Sequence, residues 1–448
     1  MTVTDDPLRS PPFPKTSNRF NRNVIVCEDL EKPQGSISTG VGYLDHMIDQ
    51  FNSHAQIGIS LTIADFAEVE SNGDNGFVFE SADTQNHNRY AQNDQAKLMS
   101  LVGSKIGTEF KRLLTQSATA GTSSRFCCPL DEALVACEIK RVHAGELTSF
   151  TLPPYGTFPS TGRKTIGRME TDKLAIFWQC LAEHADISIV LRKVRGDNAH
   201  HIVEASFKAF ARAIRNLLDG IDTRSESSRT LQLYDPESKN WQAGTVLGRQ
   251  GSVTRKTKET SISATLRMDG SELGVHVNCG IKTLDTFLTL LATTACMSLD
   301  LTCHGDLWID EHHTAEDVAI ALGQVLTDAL GTKAGLNRMW CASAEQNQTK
   351  IEVTMDLSNR PCFTHNLGLD NGEEMVGDLS LEMFEHILDS IVVNARMTVH
   401  ILEVYATNNL EDTVQAVAIA FGQALKYCAM VDSRRAGATA SSKGTLSV

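Results

Sequence analysis

VAIALGQVL at residues 318–326 returns almost letter for letter as VAIAFGQAL at 417–425. Small and apolar residues recur in both at three- and four-residue steps, the period of a helix with one buried face. Each stretch follows an acidic, cap-like segment. A third variant, FKAFARAIRNLL at 207–218, keeps the spacing, and a fourth, KLMSLVGSKIG at 97–107, is the most worn. An internal repeat decides the fold before any single element does. The chain reads as four related units, each of strands followed by an amphipathic helix, arranged as two tandem copies. TSISATLRM (260–268) and KIEVTMDL (350–357) alternate as strands with one wet face. The expected class is α/β of the α+β type, with helices packed on antiparallel or mixed sheets. A polar, turn-rich stretch around 220–250 separates the copies. The expected organisation is a flexible tail over 1–19, copy one over 20–225, a linker over 226–249 and copy two over 250–448.

Composition excludes several classes. The 448 residues are 41% hydrophobic, enough for a sizeable core. A formal net charge of -14 argues against a non-specific nucleic-acid partner, which would carry a basic face. No apolar run is long enough to span a membrane. The opening MTVTDDPLRS has no apolar core of a secretory signal, so the cytosol is the expected compartment, with a plastid address left open. The 11 cysteines include no CxxC pair and are expected to be reduced thiols.

The chemistry lies in histidines. DEHHTAED (310–317) and NAHHIVEA (198–205) each begin a helix with HHxxE. In that spacing His312 and Glu316 share a face, while His313 lies about 100° around the helix. One imidazole and the carboxylate can serve one metal, and the second imidazole another. His200, His201 and Glu204 repeat the arrangement. In GYLDHMIDQFNSHAQ (42–56), His46, Gln50 and His54 are four apart in turn, which an α-helix would place on one face. Imidazole and carboxylate suit Mn, Fe, Zn or Ni, and the lack of a thiolate set argues against a structural zinc site. Two independent sites, one shared site or coincidence all fit the spacing alone. His87, His143, His184, His365 and His386 read as ordinary surface or hydrogen-bonded histidines.

Several long motifs together resemble the imidazoleglycerol-phosphate dehydratase family. They are TGVGYLDHM (39–47), NAHHIVEASFKAFARAI (198–214), GDLWIDEHHTAED (305–317) and TVHI (398–401). The resemblance covers about nine-tenths of the chain, but each copy departs from it. Copy one has QNDQAK (92–97) in place of HHTAED, and Val190 in place of the strand histidine. Copy two has Thr286 in place of the LDHM histidine and EDTVQ (411–415) in place of HHxxE. PLDEAL (129–134) survives in copy one only; KTKET (256–260) and SSKG (441–444) survive clearly only in copy two. Each metal-binding motif survives in one copy and is lost from the other.

The resemblance implies one composite dinuclear site. Copy one would supply His46, His200, His201 and Glu204, and copy two His312, His313, Glu316 and His400. Two Mn²⁺ ions, or other divalent metals, would act as Lewis acids and as a template while a base removes a carbon-bound proton. The reaction implied is dehydration of imidazole glycerol phosphate to imidazole acetol phosphate, in histidine biosynthesis. A catalytically inactive metal-binding scaffold is the alternative. Glu259 is the expected base, with His54 second. Gln50, Arg338, Arg360, Lys208, Ser442 and Lys443 are the expected substrate and phosphate ligands, with Arg125 as the equivalent of Arg338. The family's shells of cubic symmetry imply a homo-oligomer with about half as many chains as single-copy relatives.

Overall fold

A computed structural model describes residues 23–29, 35–63, 92–141, 148–221, 248–268, 274–370, 372–407 and 409–435, with Thr439 and Leu446. The expected four units are present. In the first, β1 (Asn23–Asp29), β2 (Ile37–Ser38), α1 (Gly42–Gln50), β3 (Ile57–Ile63) and α2 (Gln92–Gln116) follow in order. The second holds β4 (Ser123–Leu130), β5 (Ala133–Arg141), β6 (Ser149–Thr151), β7 (Thr165–Ile166), β8 (Met169–Glu170), α3 (Leu174–Ala185), β9 (Ile187–Arg195) and α4 (Ala199–Leu218). The third has β10 (Gln250–Lys256), β11 (Thr260–Arg267), β12 (Val275–Asn278), α5 (Lys282–Thr294), β13 (Ser298–Gly305) and α6 (His312–Leu330). The fourth has β14 (Met339–Gln346), β15 (Thr349–Asp356), β16 (Cys362–His365), β17 (Met375–Val376) and β18 (Leu379–Ser380). It ends in α7 (Leu381–Asn394), β19 (Thr398–Tyr405) and α8 (Leu410–Ala429).

One sheet topology recurs. The orders β4-β5-β9-β6, β10-β11-β13-β12 and β14-β15-β19-β16 are the same path through three units. Each starts with an antiparallel hairpin and ends with a strand parallel to its neighbour. The first unit has β1-β3-β2, the same path without its outer strand. The residues that would supply that strand precede Asn23, outside the described residues.

Within each copy the helices pack between two sheets: α2 on α3 and α1 on α4 in copy one, α6 on α7 and α5 on α8 in copy two. The repeat's glycine marks three of these crossings, and at α2 on α3 a Cβ on Gly103 would lie 2.4 Å from the Phe177 carbonyl. A Cβ on Gly323 would lie 2.5 Å from Asn394 Cβ, and one on Gly422 would lie 2.4 Å from the Leu291 carbonyl. That contact is closer than any side chain tolerates, so glycine lets the backbones meet. Copy one also fills its centre with aromatics: Trp178 and Phe207 rings sit 4.6 Å apart, and Phe51 packs on Phe110, Phe207 and Phe210.

The two copies meet sheet against sheet, β4 packing on β14, β15 and β19. This changes one strand reading. β11 alternates buried and exposed as expected, but β15 is buried almost throughout, Glu352, Thr354 and Asp356 included. Its polar face is covered by the other copy. Past α8, copy two also braces copy one. Arg434 forks onto Asp219 at 2.8 and 2.9 Å, and Arg435 donates to the Ser53 and His54 carbonyls at 2.8 and 3.2 Å.

Candidate metal centre

Asn198 starts α4 as its cap, accepting from the His200 amide at 2.9 Å. The helix that follows is buried along almost its whole length, so its first turn is held rigidly. His200 Nε2 lies 3.0 Å from Glu204 Oε2, and His46 Nε2, from α1, lies 3.7 Å from the same oxygen. Tyr43 ties α1 to this turn by donating to the His200 carbonyl at 3.2 Å. One ligating atom each from His46, His200 and Glu204 falls within a 4.8 Å cluster. Burial pushes the Glu204 carboxyl up, but Lys208 at 2.7 Å and the two imidazoles outweigh it and hold it well below the carboxylate range. An ionised carboxylate between two imidazoles is a donor set that fits a divalent cation.

His201 points the other way, as the spacing requires. Its Nδ1 lies 2.7 Å from Glu132 Oε2, and its Nε2 lies 3.8 Å from Asp131 Oδ2. Burial raises the Glu132 carboxyl, but hydrogen bonds from His201 and the Asn198 amide bring it down to about 2, and Glu132 in turn raises His201. The same turn receives copy two. His400 Nε2 donates to the Asp131 carbonyl at 2.7 Å, and Arg360 Nε donates to Asp131 Oδ1 at 2.9 Å. Burial pushes the fully enclosed His400 imidazole down to about 4, and its Nδ1 has no partner among the described residues. A neutral imidazole with an unused ring nitrogen is a ready metal ligand. Register also agrees with the lost histidine of copy one: Val190 pairs with Glu138 where His400 pairs with Thr354.

Copy two's own cluster stands apart. His312 Nε2 lies 3.9 Å from Glu316 Oε2, while Glu316 Oε1 meets His386 Nε2, from α7, at 3.2 Å. These residues line an open cleft of about 690 Å³ with Phe363, His365 and Asp389. His313 turns to Asp306 Oδ2 at 3.1 Å, which raises its pKa, and lies 4.0 Å from Glu259 Oε1. His386, expected as a surface or hydrogen-bonded histidine, is hydrogen-bonded, and helix packing is what brings it to Glu316. Among the described residues, the partners of His312, His313 and Glu316 lie inside copy two. Among the described residues, His400 is the copy-two metal-ligand candidate that reaches copy one, at the Asp131 carbonyl.

The remaining candidates divide. Arg338 is buried and grips Asp356 with Nε and Nη2 at 2.7 and 2.8 Å. The motif comparison equates Arg125 with Arg338, but strand register separates them. Arg141 N donates to the Thr122 carbonyl as Leu357 N donates to that of Arg338, which makes Thr122 the level position. Arg125 instead forks onto Glu352 of the facing copy at 3.0 and 3.1 Å. Arg360 and Lys208 do sit at the clusters. Ser442 and Lys443 lie outside the described residues. Gln50 donates to the His46 carbonyl at 2.9 Å. His54 leaves the shared face, because Phe51–Ala55 is a π-turn with a wider repeat. It is fully buried, both ring nitrogens unpartnered among the described residues, whereas Glu259, the other candidate base, is half exposed beside His313.

Comparison with known proteins agrees with the doubled architecture. A family model for imidazoleglycerol-phosphate dehydratase matches twice, over residues 84–214 and 279–425. The chloroplastic imidazoleglycerol-phosphate dehydratase of Pisum sativum is 40% identical over 199 residues, covering 44% of this chain and 69% of that protein. That of Gloeobacter violaceus is 37% identical over 198 residues, 44% of this chain and 98% of the relative. The crystal structure of the Staphylococcus aureus enzyme aligns with a TM-score of 0.36 and 26% identity, over 41% of this chain and 99% of that one. Together the two matched segments span more than half of the sequence: the chain belongs to the imidazoleglycerol-phosphate dehydratase family, as a member with two copies.

Proposed function

We propose that this chain dehydrates imidazole glycerol phosphate to imidazole acetol phosphate, at metal sites built from copy one of one chain and copy two of another. The observation that carries this reading is the division of ligands. His46, His200 and Glu204 cluster in copy one, while the partners of His312, His313 and Glu316 among the described residues lie within copy two. Neither half alone supplies two four-ligand centres, and the open cleft beside His312 leaves room for a second chain. His201 and His400 already meet at the Asp131–Glu132 turn.

Two Mn²⁺ ions, or other divalent metals, would supply Lewis acidity at the substrate's imidazole when bound. The chain's residues do the rest. Glu259 takes the carbon-bound proton, and its exposure lets it reach a substrate seated at the clusters. Arg360 and Lys208, with Ser442 and Lys443, hold the phosphate by charge-assisted hydrogen bonds. Gln50 helps seat the substrate, and Glu132 fixes the ring of His201. The assembly is a closed shell with about half the chains of single-copy relatives.

Complementation tests the reading. His200→Ala and His312→Ala, assembled separately, should each lose activity by about 100-fold or more. Dissociated, mixed and reassembled, they should recover about a quarter of wild-type activity, the share of sites that draw both intact halves under random mixing. No recovery in a well-formed mixed assembly would overturn sharing between chains. Metal uptake without turnover by the wild-type protein would overturn the enzymatic reading.

A further inference from the structure

The sheet-to-sheet contact between the copies holds a second cluster of reactive groups, far from the histidines in the chain. Cys127 in β4, Cys341 in β14 and Glu352 in β15 each place one side-chain atom within 4.8 Å of the others. Cys127 is 2% exposed and Cys341 half-buried. Around them is a small apolar cluster of Cys127, Leu134 and Ala136 packed by Val194, Cys341 and Leu402.

The pair occurs once because the contact is a broken twofold. Counted from the hairpin turns, where Leu130 faces Ala133 and Gln346 faces Thr349, Cys127 is level with Ser343 and Arg125 with Cys341. Ala136 is likewise level with Glu352. The Arg125–Glu352 ion pair therefore has Cys341 beside Ala136 as its counterpart. The counterpart of Cys127–Cys341 is Ser343–Arg125, which cannot bridge. Two identical copies would show such a pair twice or not at all; this chain has diverged into one.

We infer that Cys127 and Cys341 form a redox-closable dithiol that staples copy one to copy two as a disulfide. A metal is the competing occupant of two thiols and a carboxylate. Here the carboxylate is already taken, since both Glu352 oxygens receive Arg125, and a guanidinium beside the pair repels a cation. The same charge favours a sulfur anion. The hydrogen bond from Cys341 lowers the Cys127 thiol most, burial opposes, and Arg125 and Arg192 assist. Hydrogen peroxide suffices as the oxidant. It is attacked by the Cys127 sulfur, the one the hydrogen bond and the guanidinium favour as an anion, giving a sulfenic acid and one water. The Cys341 sulfur then attacks that sulfur, forming the S–S bond and releasing the second water. Two thiols and one peroxide yield one disulfide and two waters, and a small thiol reverses it by exchange.

The test uses the full chain, metal-loaded, reduced, freed of reductant and treated with stoichiometric peroxide. Denaturing alkylation and digestion without reduction should reveal a cross-linked peptide pair holding Cys127 and Cys341. The alkylatable thiols should fall by two from eleven. The cross-linked chain should unfold at least a few degrees higher, and dithiothreitol should reverse the shift. Cys127→Ser and Cys341→Ser, each checked for native circular dichroism and size, should show neither cross-link nor shift. Oxidation confined to the exposed Cys296, a cross-link without a stability change, or protection of both thiols by added Zn²⁺ with no cross-link would each overturn the staple.

Discussion

His400 of copy two donates its Nε2 proton to the backbone carbonyl of Asp131, in copy one, at 2.7 Å. A carbonyl only accepts, so the bond fixes the tautomer and leaves the lone pair on Nδ1. The side chain next along that turn, Glu132, holds His201 at 2.7 Å. A single turn of copy one, within PLDEAL, thus orients one histidine from each copy.

Glu132 is accordingly a positioning residue. Glu132→Ala should lower metal affinity by about 10–100-fold, the usual cost of losing a group that orients a ligand. Glu132→Asp or →Gln should restore part of it. Metal titration followed by dialysis and elemental analysis measures this; unchanged affinity would remove Glu132 from the site.

The two arginines separate by experiment. Arg360→Ala should raise KM for the phosphorylated substrate by an amount equal to about 1.5–3 kcal/mol, with bound metal and unfolding midpoint unchanged. Arg338→Met strands the buried Asp356 carboxylate and should cost about 3–5 kcal/mol of stability. Urea unfolding of both variants checks the pair. A stable Arg338→Met with a raised KM would return that residue to the phosphate site.

Acid should weaken the chelated protein through His54. Burial, then the charges of Lys208, Arg212, Arg338 and Arg435, push its folded pKa well below the 6.5 of a free histidine. Below about pH 6.5 the unfolded chain therefore binds a proton that the folded chain refuses. Stability contributed by neutral His54 is complete above that pH and is lost as pH falls. The urea midpoint should drop from pH 8 to pH 5.5, and His54→Phe should flatten part of the dependence. An equal drop in the variant would assign the effect to other groups.

Glu411, at the head of α8 where HHxxE has decayed, is exposed and belongs to neither ligand-like cluster among the described residues. Glu411→Ala should leave turnover within about twofold of wild type, the usual range for a surface change away from a site. Steady-state kinetics is the check, and a large loss would show that the second copy keeps a working centre there.

Local pattern made much of this legible. The four helices announced themselves by period, and HHxxE spacing foretold that His200 and His201 part company. What stayed hidden depends on contacts distant in the chain. KIEVTMDL alternates like a half-wet strand, yet its polar face meets β4 of the other copy. Arg125 looks like Arg338 within its motif, and only pairing with β5 shows that it is three residues out of step. The π-turn at Phe51–Ala55 removes His54 from a face that an α-helical count would give it. His386 reaches Glu316 by helix packing alone.

The contact between β4 and the β14–β15 hairpin belongs to one covalent chain, so dilution leaves it at a fixed, high effective concentration. The proposed junction between His200 of one molecule and His312 of the next has no such tether. As protein is diluted, specific activity should fall in a sigmoid before any unfolding occurs. Added divalent metal should move that curve to lower protein concentration, because ions that bridge two chains act by mass action as an adhesive.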